Sequence, residues 1–424
     1  MANNKPTILL GAGAVLDIGG PLTKELTQRI IKEKKYTNYS VKGRSGEYPY
    51  FETVTRVYNY LKEKCSFEPN FEHLFHVLEM LSSYNFAWHQ NCMGAKTNLV
   101  FAPFIVPEEG FASYEINNMT SLINQCRIDI MDRINEYDEN FKENKNKENF
   151  RWYKDFWNEF NDFDLFNLNY DTTVEQSLPS YCDGFVDSDD MRFQKFDPRQ
   201  MRNEDCKYKV CHLHGCILYG RQRYGDVNHD VYDYRYTDMY KWKNYSVNKK
   251  GLQNSLVTGP FNQCGESFDI DSIVIGLRKT DKVTVIPYNY YHHYLNAAIL
   301  NNKSLLIVGY SFGDLYINDL IEHMNVLYGN GKRIVVITKW DGCCNEREKE
   351  RGWNQWDPSR VNEKELLFIK RMMHDDSLRP QDLDENVQNE SLYISKEKDV
   401  MLFVNGFKKG VLKYGKEIVD FLEN

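Results

Sequence analysis

No apolar run in this chain approaches the roughly 18 residues needed to cross a bilayer as a helix, so a membrane-spanning segment is excluded. The first residues, Met1-Ala2-Asn3-Asn4-Lys5-Pro6, lack a signal-peptide pattern, and a cytoplasmic location is expected. Positive charge is also short. With 53 Lys and Arg against 61 Asp and Glu the net charge is −8, which argues against broad, sequence-independent nucleic-acid binding. None of the ten cysteines forms a C-x-x-C pair, so no zinc ribbon and no bound metal are expected. In a long cytoplasmic chain they read as free thiols rather than disulfides. Cys211 and Cys216 read as small buried side chains near a strand. There is no internal repeat and no low-complexity tract.

What remains is an ordinary soluble composition, 42% hydrophobic and 27% charged over 424 residues. That length allows one large α/β domain with additions, or two domains. Thr7-Ile8-Leu9-Leu10 reads as a short buried strand. A helix is expected to start near Pro21, with Leu22, Leu26 and Ile30 on one apolar face. Residues 40–155 read as a helical insertion. Phe71, Leu74, Phe75, Leu78 and Leu81 fit a 3.6-residue period, as do Ile116, Met119, Leu122, Cys126, Ile130 and Ile134, then Trp152, Phe156 and Phe160. Lys142–Lys147 reads as a solvated loop.

The core resumes with strands at Asp164–Leu168, Lys209–Leu213, Leu305–Val308 and Lys332–Thr338. Ser272–Ile275 and Val283–Pro287 are β-like, and a helix is expected near Tyr291–Leu300. Residues 341–390 are charged and weakly patterned. A strand and turn follow at Val400–Gly406, then a helix at Tyr414–Leu422. Strands separated by helical stretches imply a doubly wound, mostly parallel sheet. Residues 219–250 read as a surface excursion. There Arg221, Arg223, Arg235, Lys241 and Lys243 interleave with tyrosines, but Asp226, Asp230, Asp233 and Asp238 cancel much of the charge. A solvated surface or protein interface fits better than nucleic-acid contact.

Four short motifs end likely strands. Gly11-Ala12-Gly13 lets backbone turn sharply and approach a phosphate near a helix N-terminus, or is simply a tight turn. The dehydrogenase fingerprint is broken, because Leu16 stands where a third glycine is needed and no acidic ribose ligand follows about 20 residues on. Asn169-Tyr170-Asp171 offers a donor and acceptors to a ribose or a water, or else starts a helix. His214-Gly215 supplies a group that titrates near neutrality and suits general-base work, with His212 as a competitor. In Gly309-Tyr310-Ser311-Phe312-Gly313-Asp314, Ser311 could reach a phosphate or ribose, or the loop is a tight turn with Asp314 as helix cap.

Taken in order, the motifs resemble the sirtuin superfamily. Its GAG-A-S-x-x-x-G-I-P loop aligns without gaps on Gly11–Pro21, its T-Q-N-x-D on Asn167–Asp171, its L-H-G on Leu213-His214-Gly215 and its G-T-S on Gly309-Tyr310-Ser311. The resemblance spans roughly residues 5–340. Departures are Leu168 in place of the family's Gln, Leu22-Thr23-Lys24 in place of Asp-Phe-Arg, and the missing zinc cysteines. This variant looks like the sirtuin-like domains of bacterial anti-phage defence, which hydrolyse NAD to nicotinamide and ADP-ribose and deplete the infected cell, an abortive-infection strategy.

The resemblance implies a Rossmann-like domain over residues 1–340 and a C-terminal extension over 341–424, which either completes the core or forms an interface. It implies NAD as substrate and no metal. Asn169 and His214 would be catalytic, with Gly11, Ala12, Gly13, Asp17, Pro21, Asp171, Gly309 and Ser311 binding NAD. It further implies a homo-oligomer and a separate HerA-like ATPase partner, with nucleic acid met only through that partner. The competing readings are an NAD-dependent protein deacylase and a non-catalytic NAD or ADP-ribose-binding module.

Overall fold

The computed structural model describes residues 5–41, 44–64, 68–86, 119–220, 239–253, 272–277, 279–339, 363–373, 378 and 383–424. Short runs rich in Leu, Ile and Val build its centre. In chain order the strands are β1 (Thr7–Leu10), β2 (Tyr36–Val41), β3 (Arg44–Tyr48), β4 (Phe163–Asn167), β5 (Phe185–Asp187), β6 (Phe193–Phe196), β7 (Tyr208–His212), β8 (Tyr219–Gly220), β9 (Tyr240–Trp242), β10 (Ser304–Val308), β11 (Arg333–Ile337), β12 (Tyr393–Ile394) and β13 (Val400–Phe403). Strands β1, β4, β7, β10 and β13 are buried along their whole length, as strands covered by helices on both faces must be.

The main sheet runs β12-β13-β11-β10-β1-β4-β7 and is parallel except for β12. Without β12, the order from β7 to β13 is the doubly wound 3-2-1-4-5-6 arrangement. The fold is therefore Rossmann-like α/β. The register aligns Ile337, Val308, Leu10, Asn167 and His212 in one row across the sheet. All four sequence motifs begin within two residues of that row, at the carboxyl edge where such sheets bind ligands.

Around this core several expectations change. After β1 the chain makes a 3₁₀ helix, Ala12–Ile18, and the α-helix starts only at Thr23. Leu22 precedes it in extended conformation, so its side chain is out of helical phase and 53% exposed, while Leu26 and Ile30 are buried. The insertion opens with the β2–β3 hairpin and continues as helices Tyr50–Lys64, Phe71–Phe86, Met119–Asn144 and Glu148–Trp157. Residues 87–118, including Ile116, lie outside the described residues. Lys142–Asn144 forms the last turn of a helix, and the loop is confined to the next three residues.

Val283–Pro287 makes no strand. The Val285 and Pro287 carbonyls accept the Asn289 and Tyr291 N–H groups of the helix Tyr288–Asn301, and are thereby lost to any ladder. Around Ser272–Ile275 the pairing is a single antiparallel bridge, Gly215 to Ile273.

The stretch 219–250 is only partly a surface. Residues 221–238, with Arg221, Arg223 and Arg235, lie outside the described residues. Tyr219, Met239, Lys241 and Trp242 are buried because β8 and β9 join β5 and β6 in a second, antiparallel sheet. Cys182 and Cys206 form a disulfide rather than free thiols. Cys182 bridges to Lys209 on β7 and its N–H donates to Tyr208 O, which brings it back beside Cys206. Cys126, Cys211 and Cys216 are buried free thiols.

Of the two roles open to residues 341–424, the described part completes the core. Strand β13 pairs with β11, and the final helix starts earlier than expected, at Phe407, and runs to Glu423. Phe407 packs edge-on against Trp152, Tyr153 and Phe156. Such aromatic pairs add about 0.5–1.5 kcal/mol each beyond area burial.

Candidate functional site

Two glycine loops meet at the centre of the sheet edge. Gly11 N–H donates to Val308 O at 2.9 Å, and Gly13 N–H donates to Gly309 O at 2.9 Å. A Cβ on Gly11 would lie 2.5 Å from Gly309 O, and one on Gly309, which has φ +60°, would lie 2.3 Å from Ala14 N. The two backbones touch, and only glycine allows it. Ala12 is exposed beyond this contact, Gly13 is half-buried, and Ser311 is exposed at the rim.

Asn169 enters from the next strand. Its Nδ2 donates to Gly11 O at 3.0 Å, and its backbone N–H donates to Asn167 Oδ1 at 2.9 Å. Leu213 N–H donates to Asn167 O at 2.9 Å, extending the β4–β7 ladder. Asn167 pairs with His212. Asn169 and His214 each lie two residues beyond that paired position, on strands about 4.8 Å apart.

The two histidines of the motif have separate environments. His212 is fully buried, with Nε2 2.6 Å from Glu175 Oε1 and Nδ1 3.2 Å from Asn169 O. Burial alone would lower its pKa, but the Glu175 carboxylate overrides this and holds it above its ordinary value. His214 has Nε2 3.5 Å from Asp314 Oδ2. A strap crosses it: Val274 N–H donates to His214 O at 2.7 Å, and Cys216 N–H to Ser272 O at 2.9 Å. The strap is anchored on the helix Phe71–Phe86, where Glu72 accepts from Gly276 N–H at 2.7 Å and from Lys279 Nζ at 3.2 Å. Burial, then the Lys279 charge, lower the His214 pKa, opposed by Asp314. His292, half-buried nearby, is pushed down to about 4 by desolvation and by His214.

Asp314 reaches this point because Asp314 Oδ1 caps the helix Leu315–Tyr328, accepting from Tyr316 N–H at 3.0 Å. The Tyr310 hydroxyl accepts from Asp314 N–H and sits 3.0 Å from Asn318 Oδ1, which fixes the loop. Burial would raise the Asp314 carboxyl. Its contact with His214, the charge of Lys279 and the Ile317 N–H outweigh that and hold it at about 2. The sequence marked Asp314 only as a cap. Glu72 and Lys279 gave no local signal, since their ion pair joins segments 207 residues apart.

Three expected ligands are turned elsewhere. Asp171 is 0% exposed and accepts from Thr173 N–H at 3.0 Å and Thr173 Oγ1 at 2.5 Å, so it serves as a buried helix-start residue. Asp17 accepts from Lys408 N–H of the final helix at 2.9 Å. Pro21 is buried in the lead into the helix Thr23–Ile31.

Beneath Asp171 lies a second buried carboxyl, Asp138, which accepts from Thr172 N–H at 2.8 Å and Thr172 Oγ1 at 2.7 Å. Burial and the Asp171 charge push it up to about 7 from 3.8. Below pH 4 folded and unfolded chains both hold this proton. Between 4 and 7 only the folded chain keeps it, so stability falls as pH rises and the loss is complete above 7. Asp138→Asn is expected to remove this slope, on the order of 4 kcal/mol across the window. Urea unfolding at pH 5 and pH 8 checks it; an unchanged slope refutes the assignment.

Residues 164–359 match the family model of the SIR2-like domain. No curated protein matches the chain. SIR2-like domains are NAD-dependent enzymes, and the match implies NAD as substrate or cofactor. The SIR2-like segment carries β4, β7, β10 and β11 with Asn169, His214, Ser311 and Asp314. The Gly11 loop precedes it in sequence but is held to it through Gly309 and Asn169. The residues suit a dinucleotide: an exposed loop at a strand end, an asparagine with no hydrogen bond to Oδ1 among the described residues, and a histidine beside a carboxylate. Among the described residues no three His, Cys, Asp or Glu side chains converge to hold a metal ion. No described helix is long and apolar enough to cross a membrane.

Proposed function

We propose that the protein hydrolyses NAD to nicotinamide and ADP-ribose. The observation that carries this reading is the placement of Asn169 and His214 two residues past the paired positions Asn167 and His212 on adjacent strands. The Gly11–Gly13 loop and Ser311 would flank the pyrophosphate and the adenosine side. As the glycosidic bond between ribose C1′ and the pyridinium nitrogen breaks, its electron pair returns to nicotinamide. Asn169 orients a water toward C1′, and His214 takes the water proton as its oxygen bonds to that carbon. Asp171 is too deeply buried to hold the ribose, which falls to Asn169.

We also propose a defence role: NAD depletion by a homo-oligomer paired with a HerA-like ATPase and repressed until assembled. The motif resemblance supports it. The test is product analysis of NAD incubated with the purified chain, alone and with such an ATPase. Nicotinamide and ADP-ribose in equal amounts are expected. Tight NAD binding without turnover in either case would overturn hydrolysis in favour of a binding module. Acetylated ADP-ribose formed from an acetyl-peptide would mark a deacylase.

A further inference from the structure

We infer that Asp314 is a positioning residue that fixes which nitrogen of His214 is basic. This rests on His214 as the base of the reaction proposed above and adds a residue to it. An ionised carboxylate only accepts hydrogen bonds. Asp314 Oδ1 is taken by the N–H groups of Tyr316 and Ile317. Asp314 Oδ2 is left facing His214 Nε2 at 3.5 Å. The helix N-terminus behind it favours the ionised form. A neutral His214 facing that oxygen carries its proton on Nε2, and Nδ1 holds the lone pair. Among the described residues no hydrogen bond engages Nδ1. The contact is long for a hydrogen bond, as catalytic contacts often are before substrate binds.

The loop is built to hold Asp314 in place. Tyr310 and Asn318 tie it from inside, and Asn318 Nδ2 donates to Phe312 O at 2.9 Å. Phe312 sits at φ +52°, a conformation that costs a side-chain-bearing residue on the order of 1–3 kcal/mol. It is kept there by burial of its ring, stacked 5.4 Å from Phe368 at an interplanar angle of 11°. His292 does not compete for the carboxylate, since its Nε2 lies 3.3 Å from Leu213 O.

Asp314→Asn is the discriminating variant, because asparagine caps a helix as well as aspartate does. Its amide can present a donor to Nε2 and so favours the wrong tautomer. In full-length protein with ¹⁵N-labelled histidine, His214 is assigned by its absence in His214→Gln. At pH 8 the wild type is expected to show protonated Nε2 and bare Nδ1, and Asp314→Asn the reverse. With NAD, kcat should fall roughly 100-fold or more while KM stays within about threefold. An Nδ1–H tautomer in the wild type, or an unchanged tautomer in the variant, overturns the assignment. A tautomer switch in a protein that never cleaves NAD supports Asp314 and removes the hydrolase reading instead.

Discussion

His214→Ala is expected to slow NAD cleavage by about 100- to 10,000-fold, the contribution of a well-placed general base. Its unfolding curve in urea should move little, by about 1 kcal/mol or less. The strap over His214 holds its backbone carbonyl, through Val274 N–H, and that bond survives removal of the ring. The same change two residues earlier should behave in the opposite way. His212→Ala leaves the Glu175 carboxylate buried and without its imidazole partner, a loss of about 3–5 kcal/mol. Measuring NAD turnover and urea unfolding for both variants separates the roles. A stable His214→Ala protein with wild-type turnover would remove His214 from the mechanism. Asn169→Ala should resemble His214→Ala in activity, with an added small loss from the freed Gly11 carbonyl.

Gly309→Ala should be among the most destabilising single substitutions in the chain. The added Cβ would sit 2.3 Å from Ala14 N and 2.4 Å from Gly13 C, both backbone atoms that cannot rotate away. Its φ of +60° adds about 1–2 kcal/mol for a residue with a side chain. Overpacking adds typically another 1–3 kcal/mol. A total near 3 kcal/mol or more should appear as a lower urea midpoint. Gly331→Ala is the control, because nothing lies within 4 Å of its Cβ position. If both variants unfold at the same midpoint, the two loops are not held together as described.

The sheet was legible because Thr7–Leu10, Ser304–Val308 and Arg333–Ile337 are short runs buried on both faces, where composition and environment agree. The loops after them were legible because contact between two backbones demands glycine. Val283–Pro287 looked equally β-like, yet its carbonyls serve the next helix, a competition that local pattern does not record. The Cys182–Cys206 bond depends on the path of the chain over a sequence separation of 24, and no spacing rule reports it. Within the site, Asn169 and His214 follow strands and could be read. Asp314 has two oxygens with two duties, and sequence shows only the cap. The burial of Asp171 and its turn toward Thr173 were not legible, because a motif gives residue type but not which way the side chain turns.

The bond between Asp17 and Lys408 joins positions 391 residues apart. As the chain is synthesised, the 3₁₀ turn following the first glycine loop must therefore wait for residue 408 before it is braced. A protein arranged this way withholds its finished first glycine loop from the nascent chain. Premature termination upstream of β13 would yield fragments in which this turn stays unbraced.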